Sequence, residues 1–232
     1  MSIIPVEGIA EVEPGDDVAS EIERAVRRDG LTPVDGDVVV VTHKIVSKAE
    51  GRVVELEDDG PDAHRHLVEQ EAAAVIRRRG TLVIAQTRHG FICANAGVDR
   101  SNAGPARAIL LPLDPDASAN RIRLRLERAF GVRLAVVVSD TFGRAWRRGL
   151  ADVAIGVAGM EPILDLRGTT DAHGRILEVS EVAIADEIAA AADLVMGKAS
   201  QIPVAIVRGV SWTSGSSGAV SMVRPAAEDL FR

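Results

Sequence analysis

The chain has 232 residues, 47% of them hydrophobic and 26% charged, which is enough apolar material for a substantial buried core. Its 27 basic and 34 acidic side chains give a net charge of −7, and tyrosine is absent, so neither a nucleic-acid-binding surface nor a base-stacking platform is expected. The single cysteine, Cys93, excludes an intramolecular disulfide framework and fits a reducing compartment.

The N-terminus does not have the pattern of a signal peptide, because Pro5, Glu7, Glu11 and Glu13 interrupt it. No uninterrupted apolar run reaches the length of a transmembrane helix. We therefore expect a soluble, cytoplasmic protein that has no membrane partner.

Apolar runs and turn residues divide the first half of the chain into predicted strands and helices. The helical spacing of apolar residues predicts a helix that is capped by Asp16 or Asp17 and ends at Gly30. A second helix is predicted over residues 62–79, because its three final arginines suit the C-terminal end of the helix dipole. An acidic surface loop, residues 56–63, precedes it. Strands are predicted over residues 2–6, 38–41, 81–86 and 91–94.

The second half of the chain has the same alternation. The small apolar residues of segment 150–159 indicate close packing, and the Ser/Gly-rich segment 211–218 indicates a mobile loop able to close over a ligand. Helices are predicted over residues 117–130, 183–196 and 225–232. Strands are predicted over residues 108–113, 135–138, 176–182 and 204–207.

The strand at residues 135–138 runs directly into Ser139, Asp140 and Thr141. Ligands often bind where strands end in α/β sheets, so the Asp140 carboxylate is a candidate ligand for a cation. The alternative is a turn whose side chains only satisfy the backbone, followed by a solvated basic face. Three arginines that suit an anionic substrate follow this step: Arg144, Arg147 and Arg148.

Two further polar segments carry residues suited to a metal-nucleotide site. Lys44 and Lys48 lie four apart, on one face if the chain is helical there, and suit phosphate; the alternative is an exposed basic turn. Asp99 and Asn102 offer hard oxygen ligands of the kind that Mg²⁺ or Mn²⁺ takes, although an Asx turn explains them equally well. Cys93 lies among apolar neighbours and is expected to be a buried structural thiol.

Neither of the usual phosphate-cradling glycine loops occurs in the chain, so a nucleotide would be held in another way. Between about Pro5 and Gly209, however, five segments in order and with similar spacing resemble the coenzyme F420:L-glutamate ligase family. The segments are THKIVSKAEG (42–51), NAGVDRSN (95–102), LPLDPD (111–116), SDTFGR (139–144) and ADEIA (185–189).

The resemblance implies an α/β (α+β) fold with an unusual mixed sheet, not a Rossmann sheet. Residues 1–232 would form one ligase domain, which could consist of two intertwined subdomains. The C-terminal flavin-binding domain that some members carry is not expected. The family's members form intertwined dimers, so a homodimer is expected.

The resemblance also implies a reaction. A GTP-dependent ligase would add L-glutamate to the deazaflavin coenzyme precursor through γ-glutamyl amide bonds, via an acyl phosphate. Mg²⁺ or Mn²⁺ would assist, with K⁺ as a further candidate ion. The alternatives are a non-catalytic protein that binds the nucleotide or the coenzyme, and a related ligase for another carboxylate.

Carried over by position, the metal ligands implied are Asp99, Asp140 and Thr141. The nucleotide contacts implied are Ile9, Ala10, Glu11, Val12, His43, Lys44, Lys48, Asn102, Met196, Gly197 and Lys198. For catalysis we expect Asp140 and, on charge alone, Arg144. The chain departs from the family at His43-Lys44, where relatives commonly have small hydroxyl residues, and at Lys198, where some have an acidic or amide metal ligand.

Overall fold

The computed structural model describes residues 1–229, which fold into a mixed α/β structure. The strands are β1 (Ser2–Val6), β2 (Val38–Thr42), β3 (Val53–Glu55), β4 (Ala72–Arg79), β5 (Leu82–Thr87), β6 (Ile92–Ala94), β7 (Arg107–Ile109), β8 (Ala135–Gly143), β9 (Leu150–Met160), β10 (Leu164–Asp165), β11 (Glu181–Val182), β12 (Val204–Arg208) and β13 (Ser214–Gly215). The helices are α1 (Val18–Arg28), α2 (His43–Ala49), α3 (Pro61–Glu71), α4 (Pro115–Phe130) and α5 (Ile184–Met196). Single 3₁₀ turns cover Asn95–Gly97, Ala219–Met222 and Ala226–Glu228.

The main sheet has six strands in the order β1-β12-β2-β8-β9-β13. The neighbours β2 and β8 run parallel, whereas the other neighbouring strands of this sheet run antiparallel. The apolar runs of its central strands are buried on both faces, as their sequences predict. The sheet is therefore mixed, which confirms the expected fold class and differs from the doubly wound parallel sheet of Rossmann proteins.

Helices α1, α4 and α5 cover the main sheet and complete its core. Helix α1 begins where predicted, because the Asp17 carboxylate accepts hydrogen bonds from the backbone N–H groups of Ala19 and Ser20, at 3.1 and 3.3 Å. Helix α4 ends at Gly131, which adopts the left-handed conformation at φ 69°. The predicted helices at 117–130 and 183–196 are confirmed within two residues at each end.

A second, smaller hydrophobic cluster lies apart from the main core. It joins α3 to the three-stranded sheet β4-β5-β6 and to the segment around β7. Its buried side chains are Val68, Val83, Ala85, Ala96, Val98, Ala108 and Leu110. Whether the two clusters mark two subdomains of one ligase domain stays a prediction. Among the described residues, no helix is both long enough and apolar enough to cross a membrane.

The helix predicted over residues 62–79 is wrong in its second half. Helix α3 ends at Glu71, and residues Ala72–Arg79 form β4, which pairs antiparallel with β5 through a bulge. The alanines at 72–74 favour a helix locally, but the hydrogen bonds to β5 override that preference. The three arginines consequently extend from a strand instead of neutralising a helix end.

Several other boundaries differ from their predictions. The strand predicted at 108–113 ends at Ile109, and the strand predicted at 176–182 is reduced to residues 181–182 and an isolated bridge between Ile176 and Thr170. Proline at positions 112 and 115 explains the first difference, because proline donates no ladder hydrogen bond. Segment 211–218 contains β13, which pairs with β9; its mobility stays a prediction. The predicted terminal helix contains the 3₁₀ turn Ala226–Glu228, and residues 230–232 lie outside the described part of the chain.

The small residues of segment 150–159 pack closely, as expected. At Gly156 a methyl group would lie 2.4 Å from the carbonyl oxygen of Pro115, at the start of α4. At Gly143, on the paired strand, a methyl group would meet no atom within 4 Å. The approach of α4 to β9 therefore requires glycine at position 156.

We predict that Gly156→Ala lowers the free energy of unfolding by about 1–3 kcal/mol, because the backbone of α4 must move away from β9. Urea unfolding followed by circular dichroism measures this change. Gly143→Ala is the matched control and should unfold as the wild type does. Equal stability of the two variants would show that α4 has room to move.

Candidate functional site

The candidate site forms where α2 begins, directly after the buried strand β2. The backbone turns from strand to helix at Thr42, and His43 and Lys44 are the first two residues of the helix. Thr42 lies opposite Ser139 in the parallel pairing of β2 with β8. The first turn of α2 therefore lies beside Asp140, the next residue of β8.

His43 contacts Asp140 in a buried environment. Its Nε2 atom lies 3.3 Å from Oδ1 of Asp140, and the two side chains are 1% and 11% exposed. The geometry of this contact is not that of a hydrogen bond, so Nε2 is a buried polar atom without a hydrogen-bond partner among the described residues. The other ring nitrogen, Nδ1, lies 3.4 Å from the Ser47 hydroxyl. The backbone N–H of Thr141 also donates to Oδ1 of Asp140, at 2.7 Å.

Lys44 contacts the second carboxylate, Asp99. Its ammonium lies 2.8 Å from Oδ2 of Asp99 and donates to the Ser101 hydroxyl at 2.7 Å. The backbone N–H of Ser101 donates to Oδ1 of Asp99 at 2.7 Å, which is the Asx-turn geometry considered above. Burial works to raise the pKa of Asp99, but the Lys44 ammonium and the Ser101 hydrogen bonds outweigh it, so this pKa lies below its ordinary value.

Two carboxylates that are far apart in the sequence thus contact adjacent residues of one helix turn. His43 contacts Asp140 and the adjacent Lys44 contacts Asp99, so both acids lie at the start of α2. Lys44 and Lys48 both lie in helix α2, which is the helical conformation that places residues four apart on one face. Lys48, one turn later, forms an ion pair with Glu11, which brings the segment after β1 to the same helix. Two neighbours of Glu11, Ile9 and Val12, pack into the main core.

Thr141 belongs to a different cluster, on the β9 side of its strand. Its hydroxyl donates to Oδ1 of Asp152 at 2.6 Å and accepts a hydrogen bond from the Lys198 ammonium. Lys198 also lies 3.0 Å from Oδ1 of Asp152 and 3.5 Å from Oδ1 of Asp193. Burial works to lower the pKa of Lys198, but the two carboxylates outweigh it, so the pKa lies above its ordinary value.

Asp99 and Asp140 each offer carboxylate oxygens, whose chemistry suits a divalent cation. Carboxylate oxygens suit Mg²⁺ and Mn²⁺, and Mg²⁺ commonly binds one or two carboxylates and takes its other ligands from phosphate and water. The described residues contain no group of three or more acidic, histidine or cysteine side chains placed to hold a metal. Phosphate oxygens would therefore have to complete the coordination. At Thr141, by contrast, the positive charge beside the hydroxyl is the Lys198 ammonium.

The remaining predicted residues lie at several places. Asn102 follows the Asp99 turn in a left-handed conformation, at φ 57°. Met196 ends α5, and Gly197 turns the chain at φ 58°, which directs Lys198 toward Thr141. Cys93 is buried, and burial together with the nearby Asp140 charge raises its pKa to about 12. It is therefore a protonated, structural thiol, as predicted.

The arginines predicted to bind an anionic substrate do not lie beside the carboxylates. Strand β8 continues past Asp140 to Gly143 instead of ending at Val138, so Arg144 lies four residues, or about 13 Å, further along the chain from Asp140. Its guanidinium donates to the carbonyl of Arg148 at 2.6 Å. Arg144, Arg147 and Arg148 line a separate groove together with Arg77, Arg78 and Arg79.

Sequence reasoning missed two groups of residues at these sites. Asp152 is 5% exposed and accepts hydrogen bonds from Thr141 and from Ser139, the latter at 3.0 Å. A single acid inside the apolar run 150–159 was the available signal. The arginines at 77–79 were missed because they were assigned to a helix end, where cations need no other explanation.

Comparison with known proteins identifies a family and several relatives that are similar to this chain. A profile of the F420-0:gamma-glutamyl ligase family matches residues 8–209. The coenzyme F420:L-glutamate ligase of Methanothermobacter thermautotrophicus is 44% identical, over 100% of this chain and 99% of the relative. The enzymes with the same name from Methanopyrus kandleri and Archaeoglobus fulgidus are 38% and 36% identical, each over 100% of this chain and over 98% and 96% of their own length.

We predict that Lys44→Met raises the pKa of Asp99, because it removes the nearest ammonium and leaves the burial that opposes ionisation. A carboxyl-carbon NMR titration, with the signal assigned from Asp99→Asn, measures the shift. The depressed pKa contributes stability above the pKa of the unfolded state, and this contribution is lost as the pH falls through the folded-state value. The stability difference between the wild type and Lys44→Met should therefore be present at neutral pH and disappear in acid.

Lys48→Met is the matched control, because Lys48 pairs with Glu11 instead. It should leave the titration of Asp99 unchanged. The same Asp99 titration in the wild type and in Lys44→Met would contradict the assigned ion pair.

Proposed function

The chain belongs to the F420-0:gamma-glutamyl ligase family, and from that membership and the site at α2 we propose that it is a GTP-dependent coenzyme F420:L-glutamate ligase. The observation that carries the proposal is that Asp140 contacts His43 and Asp99 pairs with the Lys44 ammonium, at adjacent positions in the first turn of α2. Carboxylates and ammonium groups in one place suit a nucleotide whose phosphates bind through a metal ion.

The proposed reaction has two steps. A carboxylate oxygen of the coenzyme precursor attacks the γ-phosphorus of GTP, and the bond to the bridging oxygen breaks, which gives an acyl phosphate and GDP. The amine of L-glutamate then attacks the acyl carbon, inorganic phosphate leaves, and the amine loses a proton as the amide forms. Positioning and charge neutralisation are most of what a protein contributes to such a phosphoryl transfer.

The side chains of this protein divide that work between them. Asp99 and Asp140 would hold the divalent cation, Mg²⁺ or Mn²⁺, which when bound neutralises charge on the phosphoryl oxygens. Lys44 and Lys48 project from one face of α2 and would bind phosphate oxygens that displace their present carboxylate partners. Buried His43 packs against Asp140. We also propose that the activity depends on K⁺, which the activity assays described below test when K⁺ is left out.

We also propose that the protein acts as a homodimer in the cytoplasm. Apolar side chains of the sheet β4-β5-β6 support the dimer, since Val75, Leu82 and Ile92 are 40%, 39% and 37% exposed. The outer edge of β4 is unpaired within the described residues, which offers a further surface for a second copy.

A second candidate is a non-catalytic protein that binds the nucleotide or the coenzyme. Lys198 favours it, because an ammonium lies among Thr141, Asp152 and Asp193, where some relatives place a metal ligand. Incubation with GTP, Mn²⁺, L-glutamate and the precursor separates the two candidates. A product heavier by whole glutamyl residues supports the ligase, whereas nucleotide binding without such a product supports the binding protein. A panel of other carboxylates in the same assay detects a ligase of different specificity.

We predict that Asp140→Asn lowers the rate of metal-dependent GDP release by about a hundredfold or more, because the cation's stabilisation of transition-state charge is worth several kcal/mol. It should also weaken binding of Mn²⁺ in the presence of GDP, measured by electron paramagnetic resonance. Asp62→Asn, at an exposed position of α3, is the matched control and should retain the wild-type rate. Full turnover by Asp140→Asn would remove this carboxylate from the mechanism.

A further inference from the structure

The β4-β5 hairpin and the β8-β9 connection together form a groove of about 640 Å³. Its floor includes Leu82 and Ile84. Six arginines line it, three from each side, and we call it the arginine groove: Arg77, Arg78, Arg79, Arg144, Arg147 and Arg148. Residues far apart in the sequence thus form one concentrated positive surface on a chain whose net charge is −7.

The charge of this groove is largely unbalanced. Arg78 pairs with Glu69 at 2.8 Å, and Arg144 donates to carbonyl oxygens of its own connection. Within residues 1–229, the other four arginines lie within ion-pair distance of no carboxylate. Elsewhere on the surface, many arginines pair with an acidic neighbour, as Arg100 pairs with Asp59 at 2.6 Å. Like charges held together destabilise a fold, so the groove is suited to a ligand that supplies the negative charges.

The position of the groove limits what that ligand is. Arg144 lies about 13 Å along the chain from Asp140, which is too far for it to contact a phosphoryl group that reacts at Asp140. It is within reach of another part of the same substrate. Guanidinium groups bind carboxylates in a bidentate manner, and several of them select for several carboxylates. Large surfaces such as nucleic acid are disfavoured by the negative net charge of the whole chain.

We propose that the arginine groove binds the γ-glutamyl tail of the substrate. The inference rests on the proposed function, in which each added glutamate attaches to the terminal carboxylate and leaves one further α-carboxylate behind it. The new terminus must return to the site at Asp140 for the next addition, so the earlier residues extend away from it. The groove receives these carboxylates, and its arginines without a carboxylate partner among the described residues favour a tail with more than one of them.

The test measures binding of a synthetic γ-linked triglutamate, without GTP or turnover, by isothermal titration calorimetry. We expect the affinity of the wild type to rise from glutamate to the γ-linked dimer and trimer, and to fall with added salt. Arg77→Ala/Arg79→Ala and Arg147→Ala/Arg148→Ala should each weaken trimer binding by about tenfold, since each pair supplies charge-assisted hydrogen bonds from one wall. Arg128→Ala, an exposed arginine of α4, should bind as the wild type does.

Two results would overturn the proposal. One is an unchanged affinity for the trimer in both double variants; the other is a changed oligomeric state with unchanged trimer affinity, which would assign the groove to a subunit contact. Should an alanine pair not fold, the corresponding glutamine pair takes its place. The measurement is independent of the proposed function, because Asp140→Asn should retain trimer binding while losing GDP release. Absence of glutamate addition by the wild type would therefore count against the ligase alone, and unchanged trimer binding in both arginine double variants would count against the groove alone.

Discussion

The parallel pairing of β2 with β8 is the constraint on which the site depends. It places Thr42 opposite Ser139, so the helix that follows one strand begins beside the acid that follows the other. Parallel neighbours end at the same edge of a sheet, and no other pair in this sheet runs parallel within the described residues. Because both strands are buried apolar runs, their register cannot slip without exposing the core. The pairing that stabilises the centre of the sheet therefore also fixes the position of Asp140 relative to α2.

The site is built from charges that balance each other before any substrate binds. Lys44 compensates Asp99, Lys48 compensates Glu11, and Lys198 compensates Asp152. The metal-nucleotide complex of the proposed reaction carries both signs, so it would be able to exchange partners with these pairs without leaving a charge unpaired. Such an exchange avoids most of the cost of burying an isolated charge. The arginine groove differs in this respect, since most of its charge has no partner.

The sequence was sufficient for much of the fold and for part of the site. Continuous apolar runs identified β2, β8 and β12, periodicity identified α1 and α4, and alanine-rich composition identified α5. The family resemblance indicated Asp99 and Asp140, which the structure brings to one helix turn. Their role as metal ligands, and that of Thr141, stays a prediction. Strand β4 could not be found in this way, because its exposed alanines and arginines gain their strand conformation from β5.

Asp152 shows why the rest of the site required coordinates. In sequence it is one acid within an apolar strand, and only the antiparallel register places it opposite Thr141. That register explains why a lysine is tolerated at position 198. Asp152 is nearly buried, and its carboxylate would be expensive without compensation, but two hydroxyl groups donate to it and the Lys198 ammonium neutralises it. A cation held by the chain itself can satisfy these oxygens as a metal would, at a fixed position and with a single charge. Under the proposed function, the divalent cation would therefore be held by Asp99 and Asp140, and Lys198 would supply a single positive charge beside Asp152.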